Sequence, residues 1–354
     1  MSVYLPQYTD GIDCYDYIGD ICRKYGKTCV IIHGEKAFKA SKDELLPKIE
    51  EAGIAVLETC LYGHEATYEN VDKLVAIKAV QDADMIFGVG GGKCLDTTKM
   101  VAHRLNKPVF TFPTIASTCA AVTKISIMYN EDSSFRDIFQ LTTPPKHCFI
   151  NTNIIANAPE VYLWAGIGDT LAKYVESTFS ARNDVLTYTQ EFGINAARLC
   201  FYPIIENGVK ALEDAKKHVV SPELEKVAVG ILVSTGTVSI TVGKDYNSAL
   251  AHALNYGFTS RKHIEERHLH GEVVSYGTLV ELMMDNQTED LRIAYDFYKK
   301  IGLPTCLKDL EFDLDDPLDD VLSIAVVNSE LEHTPYKVTK EMIRKAMLDL
   351  EEYR

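Results

Sequence analysis

Hydrophobic and polar residues follow two different patterns along this chain, and the pattern changes near residue 155. Up to about that point, short apolar runs are separated by longer stretches with helical periodicity. The apolar runs predict strands over 29–34, 54–60, 84–90, 108–112 and 147–151. The periodic stretches predict helices over 42–53, 68–83 and 95–105. Because strands and helices alternate, we predict a parallel sheet with helices on both faces.

The second pattern is helical throughout. Strand signals nearly vanish beyond residue 155, and Asn157 and Pro159 have the residue types preferred at a helix N-terminus. The last predicted helix starts near Thr339 and carries an apolar stripe formed by Met342, Ile343, Ala346, Met347 and Leu350. We therefore predict an α/β domain over 1–155 and an all-α domain over 156–354. A cleft between the two is the default expectation for a ligand site.

Composition narrows the class of partner. A formal charge of −15 and a pI near 5.1 argue against nucleic acid or an anionic membrane surface. The N-terminus lacks a basic stretch followed by an apolar core, and no apolar run approaches the roughly 18–20 residues that span a bilayer. The 9 cysteines are scattered without a CxxC pair, which favours reduced thiols. We predict a cytoplasmic enzyme that acts on small molecules, without nucleic acid or membrane as a partner.

A glycine-rich segment, GVGGGKCLD, follows one predicted strand and opens a predicted helix. Glycines allow the backbone to approach a pyrophosphate closely, and the N–H groups at a helix start bind its charge. Two better-known motifs do not fit. The dinucleotide GxGxxG requires glycine where Lys93 stands, and the P-loop requires Ser or Thr where Cys94 stands. A tight turn without a ligand is the alternative interpretation.

Several segments occur in the order typical of one enzyme family: GVGGGKxxDxxK, PTIAST, GIGDTLAKYVE, AHALNYG and HGEVVSYGTLVEL. In these segments the chain resembles the glycerol-dehydrogenase-like group of the metal-dependent (iron or zinc) alcohol dehydrogenases. The resemblance implies an N-terminal nucleotide-binding α/β domain and a C-terminal helical domain with a metal between them, a fold shared with dehydroquinate synthase. It also implies NAD or NADP, one divalent metal (Zn²⁺ or Fe²⁺), and a homo-oligomer.

The same resemblance implies the metal ligands, which are Asp169, His252 and His270. One carboxylate and two imidazoles would leave coordination positions open for a substrate oxygen. His268 is the obvious rival to His270. Residues two apart on a helix do not share a face, and the family ligand directly precedes Gly-Glu, which selects His270. His263 and His268 are expected at the surface or supporting the site.

The implied cofactor contacts come from the N-terminal half. The positions that match the family's motifs are Gly91, Gly92, Lys93, Asp96, Thr114, Ser117 and Tyr129. Thr123 and Ile125 occupy further contact positions with altered side chains. The choice between NAD and NADP stays open, because His33 and Gly34 replace the aspartate common in NAD-dependent relatives. Lys36 favours a 2′-phosphate, whereas the charge of Glu35 opposes one.

The expected substrate contacts depart from the glycerol dehydrogenases. Those enzymes have a carboxylate after Ser-Thr, where this chain has Cys119 in STCAAVTK. Cysteine is a poor hydrogen-bond acceptor for a diol, and loss of the negative charge makes an anionic substrate more tolerable. The segment resembles a branch of the family that reduces 2-oxo acids to 2-hydroxy acids. Lys124 is then a candidate partner for the substrate carboxylate, with a solvated lysine as the alternative.

The leading hypothesis is therefore reversible hydride transfer between a nicotinamide and a secondary alcohol or its carbonyl. The substrate pair that we predict is a 2-hydroxy acid and its 2-oxo acid. Glycerol or polyol oxidation is the main alternative. A dehydroquinate-synthase-like lyase is disfavoured, because its first metal ligand is a glutamate and its site holds several basic residues, neither evident around Asp169. An inactive nucleotide-binding paralogue is disfavoured by the intact ligand trio.

Overall fold

The computed structural model describes residues 2–353, and within that range the chain divides into two compact units. The first unit extends to Glu160 and also takes in Asp214–Gly236. The second contains Val161–Glu213 and the chain from Thr237 onward. We predicted a single boundary near residue 155, and this did not anticipate that residues 214–236 belong to the first unit. The assignment of two domains at 1–155 and 156–354 stays a prediction.

A parallel sheet forms the centre of the first unit. The strands of this unit are β1 (Tyr8–Asp10), β2 (Thr28–His33), β3 (Ala55–Leu61), β4 (Met85–Gly90), β5 (Val109–Pro113), β6 (Ile125–Tyr129), β7 (Phe135–Gln140) and β8 (His147–Ile150). The sheet order is β1-β8-β5-β4-β2-β3, and β6 and β7 form a separate antiparallel hairpin. The predicted strands are confirmed to within one residue at each end. Neither β1 nor the hairpin was predicted.

Helices cover both faces of the sheet, as predicted. The helices of the first part of the chain are α1 (Ile18–Cys22), α2 (Glu35–Glu51), α3 (Tyr68–Val75), α4 (Lys78–Asp82), α5 (Gly92–Leu105) and α6 (Thr152–Ala156). On one face, side chains of α1 and α2 form a core with Ile31 of β2. On the other, α3, α4 and α5 form a core with Ile32. Successive strand residues point to opposite faces, so β2 contributes to both cores.

The rest of the chain is built of helices over the residues that the structure describes. They are α7 (Glu160–Ser180), α8 (Tyr188–Ala196), α9 (Tyr202–Ala215), α10 (Pro222–Val229), α11 (Thr235–Val242), α12 (Leu250–Phe258), α13 (Lys262–Arg267), α14 (His270–Met284), α15 (Thr288–Ile301), α16 (Asp319–Val326) and α17 (Lys340–Glu352). The predicted C-terminal helix is confirmed in α17. Thr339 caps it by accepting a hydrogen bond from the Met342 N–H at 3.4 Å, and its predicted apolar face is buried except at half-buried Met342.

The start of the helical region differs in one detail from the prediction. α7 begins directly after Pro159, but Asn157 is not its N-cap. Asn157 instead closes α6, where its backbone N–H and its side-chain amide both donate to the Asn153 carbonyl, at 3.1 and 2.9 Å. The cap of α6 is Asn151, whose side-chain oxygen accepts the N–H groups of Asn153 and Ile154. Asn157 thus caps the C-terminal end of α6 and not the N-terminal end of α7.

One helical segment is longer and more apolar than the sequence pattern indicated. α10 and α11 are joined through a π-helical turn at Gly230–Ser234 into a continuous helix over Pro222–Val242. By length and composition this helix is apolar enough to cross a membrane, so the expectation that no such run exists is wrong here. Of its most apolar stretch, 67% is buried inside the protein. Burial of this extent is typical of a core helix in a globular protein.

Candidate active site

The predicted metal ligands are brought together in the second unit by three helices. Asp169 lies on α7, His252 on α12, and His270 is the first residue of α14. One potential ligand atom from each residue lies within 4.8 Å of the other two. The Asp169 Oδ1 atom is 3.4 Å from His252 Nε2 and 3.6 Å from His270 Nε2. These atoms converge on one point, as the donors of a divalent metal must.

The charge state of this trio fits a cation site. Burial by itself raises the pKa of Asp169, yet hydrogen bonds to His252 and His270 hold that pKa well below its usual range. Burial lowers the pKa of His252, but the carboxylates of Glu176 and Asp169 outweigh it and raise the pKa to about 10. The anionic surroundings therefore hold a proton on His252. A divalent cation bound by the same atoms would take the place of that proton.

Glu176, about two helical turns beyond Asp169 on α7, fixes the orientation of His252. Its carboxylate is fully buried and accepts a hydrogen bond from His252 Nδ1 at 2.6 Å. It also accepts the backbone N–H groups of Ala249 at 2.7 Å and His252 at 2.9 Å. Since Nδ1 is engaged, Nε2 is the ring nitrogen that faces Asp169. Carboxylates of this kind orient a histidine ligand and raise its basicity.

A second buried glutamate, Glu281 of α14, completes the first turn of α12. It accepts the N–H groups of Leu250 at 2.9 Å and Ala251 at 3.1 Å. Burial and the nearby Glu176 raise the pKa of Glu281 well above its usual range. Together the two glutamates accept four backbone N–H groups at or next to the start of α12, where a helix leaves its donors without intrahelical partners. Sequence reasoning missed both residues, although Glu281 is a single charge within the apolar stretch GTLVELMM.

Close helix crossings at glycines set the spacing of the trio. A Cβ atom on Gly271 would lie 1.9 Å from the Ala165 carbonyl oxygen, and one on Gly168 would lie 2.3 Å from the Gly271 carbonyl oxygen. These contacts draw α14 against α7 beside Asp169 and His270. A Cβ atom on Gly277 would lie 2.7 Å from the Ala251 carbonyl oxygen, which draws α14 against α12 beside His252. Side chains at these glycines would hold the helices apart.

The glycine turn lies in the first unit where β4 passes into α5. Gly91 is the residue before the helix, and a Cβ atom there would lie 2.8 Å from the Ile115 side chain. A Cβ on Gly92 would approach the Thr118 hydroxyl to 3.1 Å. The turn lies beside the end of β2, where the Gly34 N–H donates to the Val89 carbonyl at 3.2 Å. Since β3 and β4 flank β2 on opposite sides, this is the sheet's topological switch point, the usual ligand crevice in such sheets.

Comparisons with known proteins decide the family. The family "Iron-containing alcohol dehydrogenase" matches residues 6–152. A glycerol dehydrogenase of Escherichia coli is 30% identical over 98% of this chain and 95% of its own length. Hydroxycarboxylate dehydrogenase A of Escherichia coli is 31% identical over 92% of this chain and 90% of its own. The crystal structure of glycerol dehydrogenase from Schizosaccharomyces pombe has a TM-score of 0.87 at 25% identity, over 100% of this chain and 90% of that one.

This chain belongs to the iron-containing alcohol dehydrogenase family. It falls in the glycerol-dehydrogenase-like group and is an alcohol oxidoreductase. Membership implies a nicotinamide dinucleotide and a divalent metal as cofactors. The donor set of one carboxylate and two imidazoles fits such a metal, and the Gly-Gly-Lys start of α5 fits a pyrophosphate. The sequence-based assignment of individual residues to these two sites stays a prediction.

The predicted cofactor contacts of this alcohol dehydrogenase are distributed around the turn. The buried Thr114 donates its N–H to the Gly90 carbonyl at 3.2 Å, and Ser117 lies half-buried in the loop that follows. Ile125 and Tyr129 are the first and last residues of β6. The buried hydroxyl of Thr123 lies 3.5 Å from Lys99 Nζ. The Lys93 side chain is paired with Glu65, a residue that the sequence did not single out.

Asp96 has a buried environment that differs from an open cofactor contact. Its carboxylate lies 2.8 Å from Lys99 Nζ and accepts the Ile127 N–H at 3.2 Å. Lys99 is 1% exposed and also donates to the Ile125 carbonyl. Burial raises the pKa of Asp96, while Lys99 lowers it in part. The pair therefore links α5 to β6. In this structure Asp96 supports the glycine turn indirectly, by holding β6 against α5.

The predicted substrate residues lie on the loop after β5. Cys119 begins a short 3₁₀ turn that ends at Ala121. Thr118 caps this turn by accepting the Ala120 N–H at 3.5 Å. A Cβ atom on Gly236 would lie 3.6 Å from the Cys119 Cβ, so this loop packs closely on the helix of the return segment. Lys124 is half-buried, and its backbone carbonyl accepts the Leu141 N–H at 2.7 Å.

The remaining histidines near the ligand motif, His263 and His268, are both half-buried. The His268 side chain is 8% exposed, and its Nδ1 lies 3.0 Å from the Glu272 carboxylate. Glu272 also accepts the Leu269 N–H at 3.0 Å, which places His268 in the network that starts α14. The His263 ring packs on Phe312 with 5.2 Å between the ring centroids. The Asp169 group of potential ligands includes neither residue.

Replacing Glu176 by Gln tests the orientation of His252. The amide oxygen keeps the two backbone hydrogen bonds, while the amide nitrogen faces His252 Nδ1. This contact favours the tautomer with its proton on Nε2, the atom that faces Asp169. We expect metal affinity to fall by roughly 10- to 100-fold, measured by competition with a chromophoric chelator. Glu281→Gln is the matched control, because Glu281 contacts the same helix turn but no histidine. Equal loss in both variants would contradict the assignment.

Replacing Gly271 by Ala tests the helix crossing. The added methyl group meets the Ala165 carbonyl oxygen at 1.9 Å, so α7 and α14 must separate. We expect the free energy of unfolding to fall by about 1–3 kcal/mol, together with weaker metal binding because Asp169 and His270 move apart. Thermal unfolding and chelator competition give the two values. Gly168→Ala, on the facing helix, should give the same result, and unchanged metal affinity in both variants would refute the proposed role of the crossing.

Proposed function

We propose that this alcohol dehydrogenase interconverts a 2-hydroxy acid and the corresponding 2-oxo acid. The dinucleotide would bind at the glycine turn with Gly91, Gly92 and Lys93, and the divalent metal at Asp169, His252 and His270. The observation that carries the choice of substrate is Cys119, in a loop where glycerol dehydrogenases have a carboxylate. We propose a cytoplasmic homo-oligomer as its state, as the sequence predicts.

Cys119 favours an acid over a polyol for two reasons. A thiol is a weak hydrogen-bond acceptor, so it offers little to the paired hydroxyl groups of glycerol. It also lacks the carboxylate of an aspartate, which would repel the carboxylate of an acid substrate. The similarity to hydroxycarboxylate dehydrogenase A, at 31% identity, supports the same choice. Lys124 is the proposed partner for the substrate carboxylate.

When bound, the metal and the nicotinamide supply Lewis acidity and hydride transfer. The protein's own residues provide the preorganisation. Glu176 holds the His252 ring in one tautomer and one rotation through the 2.6 Å hydrogen bond to Nδ1. The crossing at Gly168 and Gly271 holds Asp169 beside His270. Asp169 is 8% exposed, so its charge acts in a medium from which most water is excluded, where electrostatic interactions are stronger.

Glycerol oxidation is the second candidate function. Relatives called glycerol dehydrogenase include those of Escherichia coli and of Pseudomonas putida, the latter 31% identical over 97% of this chain. These relatives favour a polyol on overall similarity, whereas the Cys119 loop favours an acid. The two candidates share the metal and dinucleotide and differ in the group that the loop must accommodate. A substrate panel therefore separates them.

The panel uses enzyme reconstituted with zinc or iron and offers glycerol, 1,2-diols and 2-oxo acids with both NADH or NAD⁺ and NADPH or NADP⁺. We expect kcat/KM for a 2-oxo acid to exceed that for glycerol by at least about tenfold, because a site that pairs a polar substrate group strongly rejects substrates lacking it. Removing the metal with a chelator should abolish turnover, and adding it back should restore it. Preference for glycerol would overturn the choice of substrate class.

Replacing Cys119 by Asp tests the loop directly. The new carboxylate should accept polyol hydroxyl groups and repel an anionic substrate, so we expect the ratio of glycerol to 2-oxo acid kcat/KM to rise by roughly tenfold or more. Cys119→Ser is the control, because it changes polarity without adding charge. Steady-state kinetics on both substrates give the ratio. A ratio that stays the same in Cys119→Asp would show that this position does not contact the substrate.

A further inference from the structure

The glycine turn carries an ion pair that the sequence did not reveal. Lys93, the second residue of α5, places its ammonium group 2.6 Å from the Glu65 carboxylate. The same ammonium lies 4.7 Å from the centroid of the Tyr129 ring. Glu65 is largely buried, with 13% of its side chain exposed, whereas Lys93 is 46% exposed. Two fixed partners therefore hold the one lysine of the glycine turn.

The loop that presents Glu65 is tightly constrained. Gly63 and His64 both have positive φ angles, of 99° and 71°, so the chain turns sharply just before Glu65. The Asn70 side-chain amide donates to the carbonyl groups of Gly63 at 3.1 Å and Glu65 at 2.9 Å. Here the fixed conformation delivers a carboxylate to the phosphate-binding end of α5.

The aromatic partner is fixed by the same loop. The Tyr129 N–H donates to the Ala66 carbonyl at 2.9 Å, and the Ala66 N–H donates to the Glu65 carboxylate at 3.0 Å. The buried Asp96–Lys99 pair holds β6, which ends at Tyr129, against α5. Glu65, Lys93 and Tyr129 thus form one preorganised group within the first unit. Both partners contact the ammonium end of the Lys93 side chain.

We propose that Glu65 is a positioning residue that sets the affinity for the dinucleotide by holding Lys93 and partly neutralising its charge. This inference rests on the proposed function, which places the pyrophosphate at Gly91, Gly92 and Lys93. A lysine paired with a carboxylate contributes less to binding an anion than a free one does. Glu65 therefore weakens the hold on the pyrophosphate and favours release of the dinucleotide after each turnover.

Substitution of Glu65 by Gln isolates this effect. Glutamine keeps a carbonyl oxygen for the Ala66 N–H but removes the negative charge. The Lys93 ammonium is then released toward the pyrophosphate. We expect the Kd for ADP-ribose, which carries the pyrophosphate without the nicotinamide, to fall by roughly threefold to tenfold. The salt dependence of binding should become steeper, because an unpaired surface charge is screened more strongly by ions than a paired one.

The test measures binding to the full-length, zinc-loaded enzyme by calorimetry with ADP-ribose and by NADH fluorescence. Lys93→Met alone should weaken ADP-ribose binding by roughly threefold to tenfold. Adding Glu65→Gln in the Lys93→Met background should change Kd by less than about twofold, since Glu65 acts through Lys93. Glu69→Gln is the control. Glu69 lies on the nearby α3, and its exposed carboxylate is paired with Arg136 of β7 at 3.4 Å.

Each outcome decides the proposal. Tighter binding in Glu65→Gln alone, lost in the double variant and absent in Glu69→Gln, supports it. Unchanged or weaker binding in Glu65→Gln overturns it, as does a gain in affinity that persists without Lys93, which would mean direct repulsion of the ligand by Glu65. If the parent enzyme binds neither ADP-ribose nor NADH, the proposed dinucleotide site itself fails. That result is distinct from a parent that binds both ligands and a Glu65→Gln variant that does not differ from it.

Discussion

The first turn of α12 depends on two buried glutamates, and the geometry of the candidate metal site depends on that turn. Glu176 and Glu281 together accept the N–H groups of residues 249–252. A buried N–H without an acceptor costs about 1–3 kcal/mol, so an apolar residue at either position would leave the helix start unsatisfied. The same Glu176 carboxylate accepts His252 Nδ1. One side chain thus stabilises the helix and selects the nitrogen that faces Asp169.

Small residues make this arrangement possible. A carboxylate on α7 reaches the start of α12 only if the helices lie close together. Gly168 and Gly271 let α7 approach α14, and Gly277 lets α14 approach α12. The backbone contacts at these crossings are stiffer than contacts between flexible side chains. Ligand positions set by backbone contacts vary little, which is what a metal site needs, since it requires its donors within a few tenths of an ångström.

The sequence predicted the elements with strong local patterns and missed those that depend on distant contacts. The buried strands and α17 have clear apolar runs or stripes, and the structure confirms them. β1 is three residues long and mixed in polarity, so it has no period to read. Glu65, Glu176 and Glu281 look like ordinary glutamates until the fold surrounds them. The ligand trio was found through motif resemblance, because the distances along the chain between Asp169, His252 and His270 say nothing about their approach in space.

The two candidate sites bind opposite charges in different ways. The metal site concentrates negative charge by burying Asp169 and Glu176 in a chain whose net charge is already −15, so the global field and the local field favour a cation together. The dinucleotide is an anion and must bind against that global field. Backbone N–H groups at a helix start solve this problem, because their partial charges are fixed, close to the ligand and independent of net charge. Lys93 adds a full positive charge at the same place, and its ion pair with Glu65 partly neutralises that charge. An enzyme that must release its dinucleotide in every cycle gains from moderate affinity, because binding that is equally strong before and after reaction does not accelerate the chemical step.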